Sequence, residues 1–144
     1  MPGRGSLILE RAAALLVPPI LVVSLYLLFA GHNAPGGGFA AGLTAGLAIA
    51  LEYAAGGPHA IRRATRLAPT TLLGAGLVVA GLTGAAGWVF GGGFLDGGAA
   101  TVDLPVLGEV KATSALLFDT GVYLVVAGMV GVALEALGTG EATE

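Results

Sequence analysis

The chain has 144 residues, 56% of them hydrophobic and 10% charged, with a formal net charge of −3. A soluble domain carries about 25% charged residues, so a water-soluble fold of this size is excluded for want of polar surface, and no basic stripe offers nucleic acid a footing. No cysteine is present, which excludes disulfides, thiol chemistry and iron–sulfur ligation by this chain.

A spanning helix needs about 20 mostly apolar residues. On that rule the chain reads as an all-α integral membrane protein, a single membrane domain over 1–144 with four transmembrane helices at about 12–31, 35–55, 69–91 and 113–137. The first span opens after Arg4 and Arg11, and Ala12 to Ala30 is free of charge. A secretory signal has a similar start, but this apolar run is longer than a signal core and a second span follows at once. Pro18 and Pro19 are expected to kink the helix and free backbone carbonyls.

Between the first two spans stands Gly31-His32-Asn33-Ala34-Pro35-Gly36-Gly37-Gly38-Phe39. Asn33 is suited to cap the second helix and Pro35 to its first turn. The three glycines let another backbone pass close and leave N–H groups for an ion or a carbonyl. No Lys-Ser or Lys-Thr follows, so this is no phosphate loop, and no strand precedes it, so it is no dinucleotide fingerprint. Gly91 to Phe94 repeats the Gly-Gly-Gly-Phe string after a span rather than before one, a coincidence in a chain with 26 glycines.

In the second span Gly38, Gly42 and Gly46 recur every four residues, the close-approach pattern of membrane helices. Glu52 ends it beside Tyr53, and a loop with His59, Arg62, Arg63 and Arg66 follows. The third span carries Gly74, Gly81, Gly84 and Gly87, the fourth Gly121, Gly128 and Gly131. These glycines either pack the four helices together or dock other subunits.

Five of the six positive charges fall before the first span or between the second and third, with Lys111 alone in the loop before the fourth. The positive-inside rule places that side, and with it both the N and C termini, in the cytoplasm. Asp96, Asp103 and Glu109 then lie outside.

Ionisable groups inside a span are costly, so each is a functional candidate. Asp119 lies about two turns into the fourth span, with Tyr123 four residues on along the same face and able to hydrogen-bond it. At about 100° per residue Asp119 points away from Gly121 and Gly128. It faces a neighbour or an aqueous path, or it is a structural residue bonded locally. Glu52 reads as interfacial with a role in an ion path left open, and Glu135 as interfacial. No Ser–His pair, paired-Asp arrangement or His–Glu metal cluster stands in the spans, so neither an intramembrane enzyme nor a metal site is expected.

The stretch Gly31 to Gly42, Arg11 with Pro18, and the block Leu117-Phe118-Asp119-Thr120-Gly121-Val122-Tyr123-Leu124 together resemble the MnhB/MrpB family, the small B subunit of the multisubunit Mrp-type Na⁺/H⁺ antiporters. The resemblance runs from about Arg11 to Leu137. Ala40 and Ala41 depart from it, standing where the family often has a polar residue and a glycine. It implies a non-catalytic subunit without cofactors in the prokaryotic cell (inner) membrane. Its partners would be the large complex-I-like subunits and small membrane subunits of a Mrp complex, within the lipid bilayer, with Na⁺ and H⁺ the ions exchanged. Asp119, Glu52 and Tyr123 are then the ion-path candidates. His32, Asn33, Pro35, Gly36, Gly37, Gly38, Phe39, Gly42 and Gly46 form a structural or interface motif. Homologous domains in energy-converting hydrogenases and related redox-driven complexes, and a purely structural scaffold, are the alternative readings.

Overall fold

Leu, Val and Ala dominate the first helix, α1 (Leu7–Ala30), and the two prolines inside it do not end it. Proline has no N–H, so Pro18 and Pro19 leave the carbonyls of Ala14 and Leu15 without their helical donors. The chain is described here by a computed structural model over residues 7–31, 36–89, 100–104, 108–112 and 114–140. The remaining elements are α2 (Gly38–Gly56), α3 (Pro58–Thr65), α4 (Pro69–Val89), a hairpin of β1 (Ala100–Leu104) and β2 (Gly108–Ala112), and α5 (Ser114–Gly140).

Four of the helices, α1, α2, α4 and α5, are long and apolar enough to cross a membrane. Glycine and proline punctuate them. Gly57, at φ 69°, ends α2 by donating its N–H to the Tyr53 carbonyl, and Pro58 opens α3 directly behind it. Gly past a helix end and Pro at the next helix start are the residues each position favours. Arg66 closes α3 in the left-handed region at φ 55°, and Pro69 opens α4.

Two elements depart from the sequence reading. The arginine-bearing segment is a short helix, α3, rather than a plain loop, because Ile61 is fully buried on its inner side. Ile61 joins Ala45, Ile49 and Ala127 in the core, with Tyr53, Tyr123 and Leu134 packed around them. Between α4 and α5 the two strands pair antiparallel, Ala100 opposite Ala112 and Asp103 opposite Glu109. The apolar–polar alternation of Thr101-Val102-Asp103-Leu104 and Glu109-Val110-Lys111 is the local signal for them.

α5 lies between α2 and α4, and α1 lies along α2. Both α5 contacts are built on glycine. Toward α2, Gly38 meets the Asp119 backbone; a Cβ on Gly42 would stand 2.8 Å from the Val126 Cβ, and one on Gly46 2.8 Å from the Val130 Cγ2. Toward α4, Gly76 crosses Gly121, and Gly128 crosses Leu73. Lipid tails are as apolar as Leu, so helices in a membrane associate through this close packing rather than by apolar burial. Gly74 and Gly81 are different, since nothing lies within 4 Å of where their Cβ atoms would be.

Candidate functional site

The two specific motifs of the sequence meet at one point. Gly37 donates its N–H to the Leu27 carbonyl at 3.1 Å, which folds the end of α1 against the start of α2. Its φ of 98° is open to glycine and strained for other residues. A side chain on Gly31 would collide with the Gly37 backbone, and one on Gly38 would collide with the Asp119 carbonyl. With no side chains in the way, the first turn of α2 lies directly on the turn of α5 that carries Asp119.

Asp119 is half-buried. Its Oδ2 lies 3.6 Å from where a Gly37 Cβ would be, so the carboxylate sits over the N-terminal end of α2. The first N–H groups of a helix lack intrahelical acceptors and carry the positive end of its dipole. The glycine turn therefore sets a polar helix end beside the carboxylate inside an otherwise apolar span. Among the readings left open for Asp119, this geometry shows a contact within the chain, and the half of the side chain that stays exposed leaves room for a neighbour or an aqueous path. Gly121 and Gly128 face α4, and Asp119, turned away from them, faces α2 of its own chain.

Tyr123 does not serve Asp119 as the spacing suggested. Its hydroxyl lies 3.1 Å from the Ser24 Oγ of α1. Ser24 is fully buried and also donates to the Leu21 carbonyl at 2.8 Å. Sequence reasoning passed over Ser24, because a serine in an apolar helix most often bonds only its own preceding turn. It gives no signal that α5 comes to meet it.

The helix start expected at Asn33 and Pro35 is corrected: α2 begins at Gly38 with Gly37 as N-cap and no side-chain cap. Gly36 and Gly37 have to close on Leu27 before a helix can begin. His32, Asn33 and Pro35 themselves, like the second glycine string, lie outside the described residues. Phe39, the last residue of the motif, is exposed on the outer side of α2, and Gly42 and Gly46 continue the α2–α5 contact.

Glu52 is at the other end of α2, fourteen residues from Gly38 and so about 21 Å along the axis. The structure therefore does not bring it to Asp119. It lines a cleft of about 260 Å³ between α1 and α2 with Glu10, walled by Ala13, Ala14, Ala55, Gly56 and Ala60. Neither carboxylate has an ion pair among the described residues. Glu135, at the same end, pairs with the Arg62 Nε at 3.1 Å. With Arg62 largely exposed this pair is worth about 1 kcal/mol or less.

Residues 8–132 match the family model described as "Domain related to MnhB subunit of Na+/H+ antiporter". The B subunit of a Na⁺/H⁺ antiporter from Bacillus subtilis (strain 168) is 40% identical over 95% of this chain and 96% of its own length. A probable K⁺/H⁺ antiporter A/B subunit from Rhizobium meliloti (strain 1021) is 39% identical over 81% of this chain, which spans 12% of that longer protein. Among solved structures, "Structure of Mrp complex from Dietzia sp. DQ12-45-1b" contains a chain that superposes with a TM-score of 0.73 and 39% identity, over 91% of this chain and 14% of its own length. The glycine turn, the Asp119 block and most of the four apolar helices that carry them fall within the matched region, and the chain belongs to the MnhB family of antiporter B subunits.

Proposed function

We propose that this chain is the B subunit of a Mrp-type monovalent cation/proton antiporter in the bacterial cell membrane. It packs beside the large ion-translocating subunits, and the Asp119 corner borders the cation path. The observation that carries this reading is the seating of the Gly36-Gly37-Gly38 turn on the Asp119 turn of α5. Two motifs far apart in the sequence build one polar corner at one end of the bundle, with a carboxylate in it.

The chain works within a complex, not as an enzyme or a stand-alone carrier. A proton relay across a bilayer needs a series of ionisable groups or water. Here Asp119 and Glu52 stand about 21 Å apart along α2, and the Tyr123–Ser24 pair runs into the Leu21 carbonyl, which has no proton to pass on. The proton route therefore belongs to other subunits. Support for such neighbours comes from the Rhizobium meliloti relative named A/B, in which a segment like this chain is 12% of a longer polypeptide. The cation is Na⁺ by the Bacillus subtilis relative and K⁺ by the Rhizobium meliloti one. The positive-inside distribution orients the chain with both termini in the cytoplasm and the Asp119 corner toward the outer face.

Mild-detergent purification of the tagged chain from its own membranes tests the reading, with mass spectrometry of whatever comes with it. Large complex-I-like subunits and several small membrane subunits are expected. Recovery with metal-cluster subunits would move the chain to a redox-driven complex, and recovery alone would end the subunit reading.

A further inference from the structure

Ser24 sits in the last third of α1, one turn before Leu27, with 0% of its surface exposed. A serine hydroxyl has one proton and can accept two hydrogen bonds. Its proton goes to the Leu21 carbonyl, at 2.8 Å. Toward the Tyr123 hydroxyl at 3.1 Å, Ser24 is therefore the acceptor and the phenol the donor. A phenol also has one proton, so with Ser24 in place Tyr123 has none left to give.

That matters because of where Tyr123 stands. It is one turn after Asp119 on α5, and helical side chains lean toward the N-terminal turn. Released from Ser24, the phenol would have in the Asp119 carboxylate, one turn back on the same helix, a charged acceptor stronger than the Leu21 carbonyl beside it. An O–H donor bound there would occupy an acceptor site and offset the negative charge, competing with a cation for the same oxygens.

We propose that Ser24 is a positioning residue for the cation site: by accepting the Tyr123 proton it keeps that donor off Asp119 and leaves the carboxylate oxygens to the cation. This rests on the reading that Asp119 meets the cation. Ser24 touches no ion itself and acts only through Tyr123.

The test uses everted membrane vesicles carrying the intact complex, with Na⁺ and K⁺ as separate probes. Ser24→Ala is expected to raise the half-saturating cation concentration by about tenfold, the scale of one hydrogen bond to a charged group, with little change in maximal rate. In a Tyr123→Phe background, Ser24→Ala should add nothing, because no phenol remains to be released. An equal shift in both backgrounds, or no shift in either, would overturn the proposal. If the alanine variant does not assemble, Ser24→Cys keeps the side-chain size and weakens the acceptor, and the same shift is expected from it. Asp119→Asn separates the two levels of failure. A shift with Asp119→Asn but none with Ser24→Ala removes only the positioning role, whereas no effect of Asp119→Asn removes the reading beneath it.

Discussion

At Gly42 a methyl group would stand 2.8 Å from the Val126 Cβ and 3.0 Å from the Tyr123 carbonyl oxygen. At Gly74 nothing would lie within 4 Å of it. Both positions read alike in the sequence, as glycines in apolar helices, and only the fold separates them. Overpacking a close contact costs about 1–3 kcal/mol, whereas substitutions on an open face stay within roughly 0.5 kcal/mol. Gly42→Leu is therefore expected to lower the thermal unfolding midpoint of the purified protein by several degrees, and Gly74→Leu to leave it in place. Asp119 was recognisable from the sequence because a carboxylate inside a span is rare and costly. Its partner was not, since the glycine turn that receives it lies some eighty residues away. Ser24 was hidden for the same reason, and Tyr123, placed on the correct face of α5, turned out to serve α1.

At the scale of elements, the four long helices were legible because length and apolar content decide a membrane span almost alone. The short ones were not. α3 has 8 residues, two of them arginine, and among its described side chains Ile61 is the fully buried apolar one. That is too little periodicity to distinguish a helix from a loop. The hairpin between α4 and α5 has strands of 5 residues each, read from the sequence only as a charged outer connection. These two elements also report orientation. The chain has no cysteine, so His59→Cys on α3 and Lys111→Cys on the hairpin each introduce one clean label. With intact cells, a membrane-impermeant thiol reagent is expected to reach Lys111→Cys and to reach His59→Cys only after permeabilisation. The reverse pattern would invert the positive-inside assignment.

At the scale of the whole molecule, α5 holds the bundle together, taking α2 on one side and α4 on the other through glycine contacts. The charged groups named above stand at the two ends of this frame, Asp119 with the glycine turn at one and Glu10, Glu52 and the Arg62–Glu135 pair at the other. No continuous line of ionisable groups joins them among the described residues, and the proposal that this subunit borders a cation path rather than containing one builds on that arrangement. The most direct test is cation/proton exchange in everted vesicles carrying the assembled complex with Asp119→Asn. The substitution keeps the size of the side chain and removes its charge. A raised half-saturating cation concentration or a lost exchange rate, with the complex still assembled, is the predicted result. Unchanged rate and affinity in a fully assembled complex would contradict the assignment of the Asp119 corner to the cation path.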